Sequence, residues 1–516
     1  LYAKTCLIFT VNKLTVSKGL RFRRSPRWKV SWLFVFVALA CLPFADLSIS
    51  TYDPWAELGR LFGGLLQPSL VAIEKPFEAL LQTLAFAILG VSSGSLIGFG
   101  LAQLFHLRLV RIVCASVRAI HELFWALIFL QIFGLHPLTG LLALGLPYAA
   151  TFAKVYAEIL EEGDRRAYDT IRQSAGPTSA FFYARLPDLW QHFVTYTGYR
   201  LECGLRSSAV LGFVGLPTLG YYLSTAFLEG AYAEVWALLI LFYLVIASLR
   251  YWLRPKLLPL YILIAPFIIA NDSEISVDNI SRFFTQDIVP LPLRNSEGLS
   301  GLWQWFTELF LTEALPGIIN TLLLTQIALV LTGLIALIWF PLISRLFFER
   351  FGRLLGHLFL VIMRSTPEYI LAFILLTLWG PSMLPAVIAL ALHNGAIIAH
   401  LMGRYSNTLS LRVDATAGMN RYAYEVVPRI YNQFLAFLFY RWEIIQRETA
   451  ILGILGITTL GFYIDSAIQD IRLDRAMVLI AITAALNVCI DSLSHYIRSK
   501  LRLSIGSQQI SAESRR

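Results

Sequence analysis

The chain has 516 residues, 57% of them hydrophobic and only 15% charged, with a formal net charge of +9; soluble proteins run near roughly 45–50% and 25%. That balance excludes an ordinary soluble globule and predicts an all-α membrane protein. The positive excess does not indicate nucleic acid: basic residues crowd at 17–29, 106–111, 250–256, 344–353 and 495–502, beside apolar stretches, while 271–279 and 465–474 are more acidic. Such a bias of Lys and Arg predicts that both termini and every basic loop lie in the cytoplasm.

In chain order, residues 1–29 form a basic segment with no convincing small-residue cleavage site after the first apolar run, which predicts a retained first helix. About twelve stretches suited to membrane spans follow, near 30–48, 79–104, 111–134, 138–158, 190–214, 234–250, 257–271, 317–345, 355–379, 382–403, 430–455 and 476–497. The weakest is 257–271, which is short and holds two prolines. Gly90, Gly94 and Gly98 fall on one stripe, a face for close helix packing. The five cysteines are scattered and offer neither a disulfide framework nor metal-ligand spacing. His393 and His400, seven apart on one predicted helix, read as packing residues rather than as a metal site.

The stretch YRLECGLRSSAVLGFVGLPTLGYY (199–222) returns as YRWEIIQRETAILGILGITTLGFY (440–463). At a constant offset of 241 about half of the positions are identical, and the agreement extends outward through Pro187 and Pro428 to Arg118 with Glu122 and Arg364 with Glu368. The duplication predicts a first repeat over 30–256 and a second over 257–502, followed by a polar cytoplasmic tail over 503–516. Six spans per half make the repeats parallel, related by a pseudo-twofold axis along the membrane normal.

Ionisable groups cost upward of about 2.5 kcal/mol each in hydrocarbon, so they face protein or a wet cavity. Glu202 and Arg206, Glu443 and Arg447, Arg118 and Glu122, and Arg364 and Glu368 are each four apart, a spacing that allows local ion pairs. Arg200 and Arg441 point about 160° away from the glutamate two positions on, and sit about 15 Å deep. They are candidates to bind an anion with phosphoryl or carboxylate oxygens, or to reach Glu122 and Glu368 across helices. Gly215, Gly220, Gly456 and Gly461 end the charged helices; they suit an outer gate, and a helix-terminating turn requires the same residues.

Each charged helix follows a long polar connection, 161–187 and 405–428. The first holds a helical phrase, RRAYDTIRQSAG, stopped at Gly176; the second is expected to end likewise at Gly418. The order of short helix, glycine and Leu-Pro or Val-Pro resembles the loop by which permeases of ABC importers dock a coupling helix into their ATP-binding subunit. RAIHELFWALIF (118–129) and YRLECGLRSSAVLGFVG (199–215) more narrowly resemble the phosphonate-uptake branch of those permeases. The resemblance covers about 74–255 and 313–502, and departs where Thr170 and Arg412 stand in place of a family glutamate and His121 in place of a proline that Pro367 keeps. It implies a fold of the type I importer permease and contacts to the ATPase around Thr170, Arg172, Gly176, Pro187, Arg412, Asp414, Gly418 and Pro428. It implies as partners two copies of an ATP-binding subunit and a periplasmic or extracellular substrate-binding protein, in the bacterial inner membrane.

No G-x-x-x-x-G-K-[ST] loop occurs, so the chain is expected to be a non-catalytic membrane subunit with no cofactor of its own, ATP and magnesium residing on the partner. The function implied is uptake of phosphonate or a related small oxyanion. The alternative is an ion-coupled secondary transporter of a small anion built from two parallel six-helix repeats.

Overall fold

The structure, a computed structural model, describes residues 25–50, 53–270, 274–412, 414 and 417–503. The basic segment before residue 25 and the tail after residue 503 lie outside the described residues. Among the described residues all regular structure is helical. Helices of ten residues or more are labelled in order: α1 Pro26–Cys41, α2 Pro54–Leu66, α3 Pro76–Gln103, α4 Arg108–Ala119, α5 Glu122–Phe133, α6 Pro137–Glu162, α7 Arg166–Ala175, α8 Leu186–Val210, α9 Leu219–Leu228 and α10 Tyr232–Trp252. There follow α11 Leu258–Ile269, α12 Gly298–Leu309, α13 Leu315–Trp339, α14 Arg350–Ser365, α15 Glu368–Trp379, α16 Met383–Ser406, α17 Val427–Ile454, α18 Leu460–Gln469 and α19 Leu473–Lys500.

Seven helices are long and apolar enough to cross a membrane, or up to ten if each of three bent pairs is one crossing. Two of those pairs correct the straight spans expected at 111–134 and 355–379. There α4 meets α5 at 91°, and α14 meets α15 at 90°. Hydropathy runs unbroken through both corners, but the backbone does not. Ile120 and Thr366 are extended, and the next residue caps the new helix: His121 Nδ1 accepts from Leu123 N (3.2 Å), while Pro367 lacks the N–H that would continue the old one. The His121 departure therefore keeps the corner by another device. The 257–271 stretch yields only α11, 12 residues or about 18 Å, short of a hydrocarbon core of about 30 Å.

Tight packing begins with the glycine stripe on α3. A Cβ at Gly90, Gly94 or Gly98 would strike the Cβ of Leu144, Tyr148 or Phe152, successive turns of α6. The two backbones approach closely because the stripe carries no side chains. Helix α13 packs on α16 in the other half of the chain. Two elements cross over. Helix α1 packs against α13, with Phe34 edge-on to Phe439 and Trp442, and Gln326 donating to Phe34 O (3.1 Å). Conversely α11 packs against α3, its Tyr261 hydroxyl donating to Trp252 O (2.8 Å). Each half of the sequence thus lends an apolar helix to the body of the other.

Candidate functional site

The charged helices α8 and α17 begin alike. Each follows a wide π-helical turn, Phe181–Arg185 or Arg421–Val426, and carries its proline, Pro187 or Pro428, in the first turn, where no N–H is required. They also end alike. Gly215 (φ +95°) and Gly456 (φ +87°) take the left-handed turn, and the chain folds back so closely that a Cβ on Gly220 or Gly461 would collide with the carbonyl of Ala209 or Ala450. The following helices are capped from afar: Leu219 N donates to Thr83 Oγ1 (2.9 Å), and Leu460 N to Thr321 Oγ1 (3.0 Å). Of the four glycines expected at an outer gate, Gly215 and Gly456 form the helix-ending turns, and Gly220 and Gly461 lie in the first turn of α9 and α18 against the preceding helix.

The charges between these ends do not pair as their spacing suggests. Among the described residues none of the four i,i+4 couples forms an ion pair within 4.0 Å. For Arg118 with Glu122 and Arg364 with Glu368 the reason is the 90° corner, which removes the shared helix face. The charged side chains reach across the molecule instead. Arg206 Nη1 donates to Arg364 O (3.2 Å), and Arg447 Nη1 donates to Arg118 O (3.0 Å). These contacts are reciprocal: the same arginine of each charged helix holds the last carbonyls of the bent helix from the other half. Arg118 itself lies 4.0 Å from Glu443 and 3.6 Å from Asp491 on α19. Two further ties close the corners. Asn487 Nδ2 donates to Ala119 O (2.6 Å), and the Tyr243 and Thr366 hydroxyls meet at 2.6 Å.

Glu122 accepts from Ser207 Oγ (2.8 Å), within its own half. Glu368 lies 3.8 Å from His393 Nε2. Glu202 has no ion pair among the described residues. Arg200 donates from Nε to the Tyr196 hydroxyl (2.7 Å) and lies over the rings of Tyr196 and Tyr199. Arg441 Nη1 donates to Asn394 Oδ1 (3.2 Å), in an amide that is fully buried. Both arginines are half-buried and reach protein partners, not Glu122 or Glu368. Of the ten charged residues, Arg206, Glu443 and Arg447 therefore reach from α8 and α17 to the corners, whereas Arg200 stays against tyrosines of its own helix. Ser207, Tyr243, His393, Asn394, Asn487 and Asp491 complete that region and were not singled out as site residues from sequence. Asn487 and Asp491 carried a usable signal, two polar groups one turn apart in an otherwise apolar helix.

The two connecting loops differ. In the first, α7 is an exposed helix that bears Thr170 and Arg172 and ends at Gly176 (φ +83°). Its entry is clasped by Asp164, which accepts from the Arg166 backbone and guanidinium; these bonds hold the Asp164 carboxyl down at about 2. In the second, the expected matching helix is absent among the described residues of 407–417. Gly418 (φ +62°) opens the turn Gly418–Asn420 instead of closing a helix. Arg412 pairs with Asp414 at 3.2 Å, an i,i+2 contact that a helix would place on opposite sides. Arg429 anchors this loop by donating to Ser410 O (2.6 Å).

No protein-family model and no solved structure matches the chain. Its curated relatives are transport permeases. It is 32% identical over 146 residues to the phosphite transport system permease protein HtxE of Stutzerimonas stutzeri, covering 28% of this chain and 56% of that protein. It is 28% identical over 225 residues to the phosphite transport system permease protein PtxC of the same organism, covering 41% and 81%. It is 23% identical over 464 residues to the phosphate-import permease protein PhnE of Mycolicibacterium smegmatis, covering 81% and 84%. The first match thus spans little more than half the length of that relative, whereas the third runs through both halves of this chain. An all-helical chain with seven to ten candidate spans fits that company: the chain is similar to phosphite and phosphate transport permeases.

Proposed function

We propose that the chain is the transmembrane subunit of an ABC importer for phosphonate, phosphite, phosphate or a similar small oxyanion, with its two halves arranged as parallel repeats about a shared passage. The observation that supports this reading is the reciprocal pair Arg206 to Arg364 O and Arg447 to Arg118 O, in which the matching arginine of each charged helix bonds to the bent helix of the other half. The names of the relatives supply the class of cargo. Arg200 and Arg441, each held by a single protein hydrogen bond among the described residues, keep donors for an anion and would offer a guanidinium fork to its oxygens.

Energy would come from two ATP-binding subunits that hold ATP and magnesium and press on α7 and on the loop at 407–417. A substrate-binding protein would deliver the anion at the opposite end, from the periplasmic side of an inner membrane in which both termini face the cytoplasm. The test is to co-purify the full chain with the ATPase encoded beside it and measure which binding-protein ligand stimulates ATP hydrolysis. A stable complex stimulated by a phosphorus oxyanion is expected; failure of any ATPase to associate overturns the importer reading. Arg200→Ala combined with Arg441→Ala should abolish uptake and leave the complex assembled, and full transport by that double variant would reduce both residues to scaffolding.

A further inference from the structure

Within the repeated stretch the two halves carry the same charges except at one place. Where the first half has Glu122 satisfied by Ser207, and Ser207 in turn 3.4 Å from the Tyr148 hydroxyl, the second half has Glu448 in the position of Ser207. Glu448 is 9% exposed and accepts from Asn394 Nδ2 (2.9 Å). Beside it stand Glu368 and His393, and one ligand atom from each of the three lies within 4.8 Å of the others. Among the described residues neither carboxylate has an Arg or Lys within ion-pair distance. Arg441 is turned to Asn394, Arg206 to Arg364 O and Arg447 to Arg118 O.

The histidine sharpens the imbalance. His393 is 3% exposed, midway along α16, and its Nδ1 lies 2.8 Å from Thr366 O. A carbonyl only accepts, so Nδ1 carries the proton and Nε2 presents a lone pair toward Glu368 Oε2 at 3.8 Å. Three acceptor groups converge, and none of the three donates to another. An imidazole whose other nitrogen is fixed by a backbone carbonyl, with a neighbouring carboxylate fixed by an amide, is the outer arrangement that orients metal ligands. One imidazole nitrogen and two carboxylate oxygens suit a cation with bonds of about 2.0–2.2 Å. The sum of two carboxylates and a dication is neutral, which suits a site inside a bilayer.

We propose that Glu368, His393 and Glu448 bind one divalent transition-metal cation of the zinc class, in the second half only. The site departs from the reading of His393 as a packing residue and from the expectation that the chain binds no metal. It stands whatever the cargo is. The bound cation would pin the α14–α15 corner, through Glu368, to α16 and α17, and would cancel two negative charges close to Arg441.

The experiment uses the full chain in detergent, stripped with chelator, reloaded with zinc and desalted, with metal counted by elemental mass spectrometry. One equivalent per chain is expected for the wild type, and visible absorption bands of a low-symmetry site when cobalt replaces zinc. Glu448→Ser, which installs the residue of the first half, and His393→Gln should each weaken zinc binding at least about ten-fold, whereas His400→Gln, seven residues along the same helix, should retain the full equivalent. Far-ultraviolet circular dichroism and gel filtration confirm that each variant is folded, and the pair of variants guards against misfolding of either. Absence of stoichiometric zinc on the wild type, or its retention in both Glu448→Ser and His393→Gln, overturns the proposal.

Discussion

At the scale of single residues, the most telling features are polar groups that reach from one helix to a backbone atom of another. Thr83 and Thr321 are almost fully buried, and each hydroxyl oxygen receives the first N–H of a short helix, α9 or α18. That N–H belongs to the set a helix start always leaves without an internal partner. Away from water, losing its acceptor costs about 1–3 kcal/mol. Thr83→Val and Thr321→Val keep the shape and remove the oxygen, so each should lower the thermal unfolding midpoint, with nearly additive effects because the two caps share no partner. Thr225→Val, which loses a bond to Tyr221 O within an exposed turn, is the control. Equal midpoints for Thr83→Val and Thr225→Val would show that the long-range cap is not a stabilising contact. Arginines make the same point differently: their targets, Arg364 O and Arg118 O, are backbone atoms, so no pattern of side chains could have announced them.

At the scale of elements, much was legible and the failures share a cause. The glycine stripe, the two charged helices with their prolines, and the turns after them all stand where residue spacing put them, because each rests on a local rule of helix geometry. The corners at Ile120 and Thr366 escaped because hydropathy measures apolar length and is blind to direction; α4 and α5, or α14 and α15, read as one greasy run. A second surface helix is expected from the first by symmetry, although Asn407, Thr408 and Ser410 lower helix propensity there. The stripe yields the sharpest element-scale prediction. Gly94 faces Tyr148 Cβ and the Gly145 carbonyl, so Gly94→Leu must separate α3 from α6 or distort one of them. Overpacking of this kind costs about 1–3 kcal/mol. The variant should give less folded protein and a lower unfolding midpoint than Gly100→Leu, since Gly100 opens onto free space on the same helix. A Gly94→Leu protein as stable as Gly100→Leu would mean that α3 and α6 are not in close backbone contact.

At the scale of the whole molecule, covalent order and spatial order disagree, and the disagreement can be tested. Helix α1, the first of the described helices, packs against α13 and α17, where the Tyr431 hydroxyl donates to Ser31 Oγ (2.5 Å). The segment after it stays there too, with Ser50 N donating to Trp379 O (2.9 Å) and Met383 N to Asp46 O (2.9 Å). Helix α11 follows α10 but remains on α3, although a boundary drawn at 256 would assign it to the second half. Each half therefore holds an apolar helix of the other against its flank, and neither can bury its own surface alone. A chain divided between residues 270 and 277, after α11, keeps α11 in the fragment it packs on, so that α1 alone is exchanged, held by the second fragment while carried by the first. Those two fragments, expressed together, should co-purify as a complex with the unfolding midpoint close to that of the intact chain, while each expressed alone should aggregate. Division at 255 instead moves α11 to the second fragment and breaks the Tyr261 to Trp252 O link only as a covalent neighbour, so the contact can re-form; that complex should assemble as well, with α11 cross-linking to α3 through cysteines placed at their contact. Stable, separately folded fragments in either division would show that the exchange of helices is not what unites the two halves.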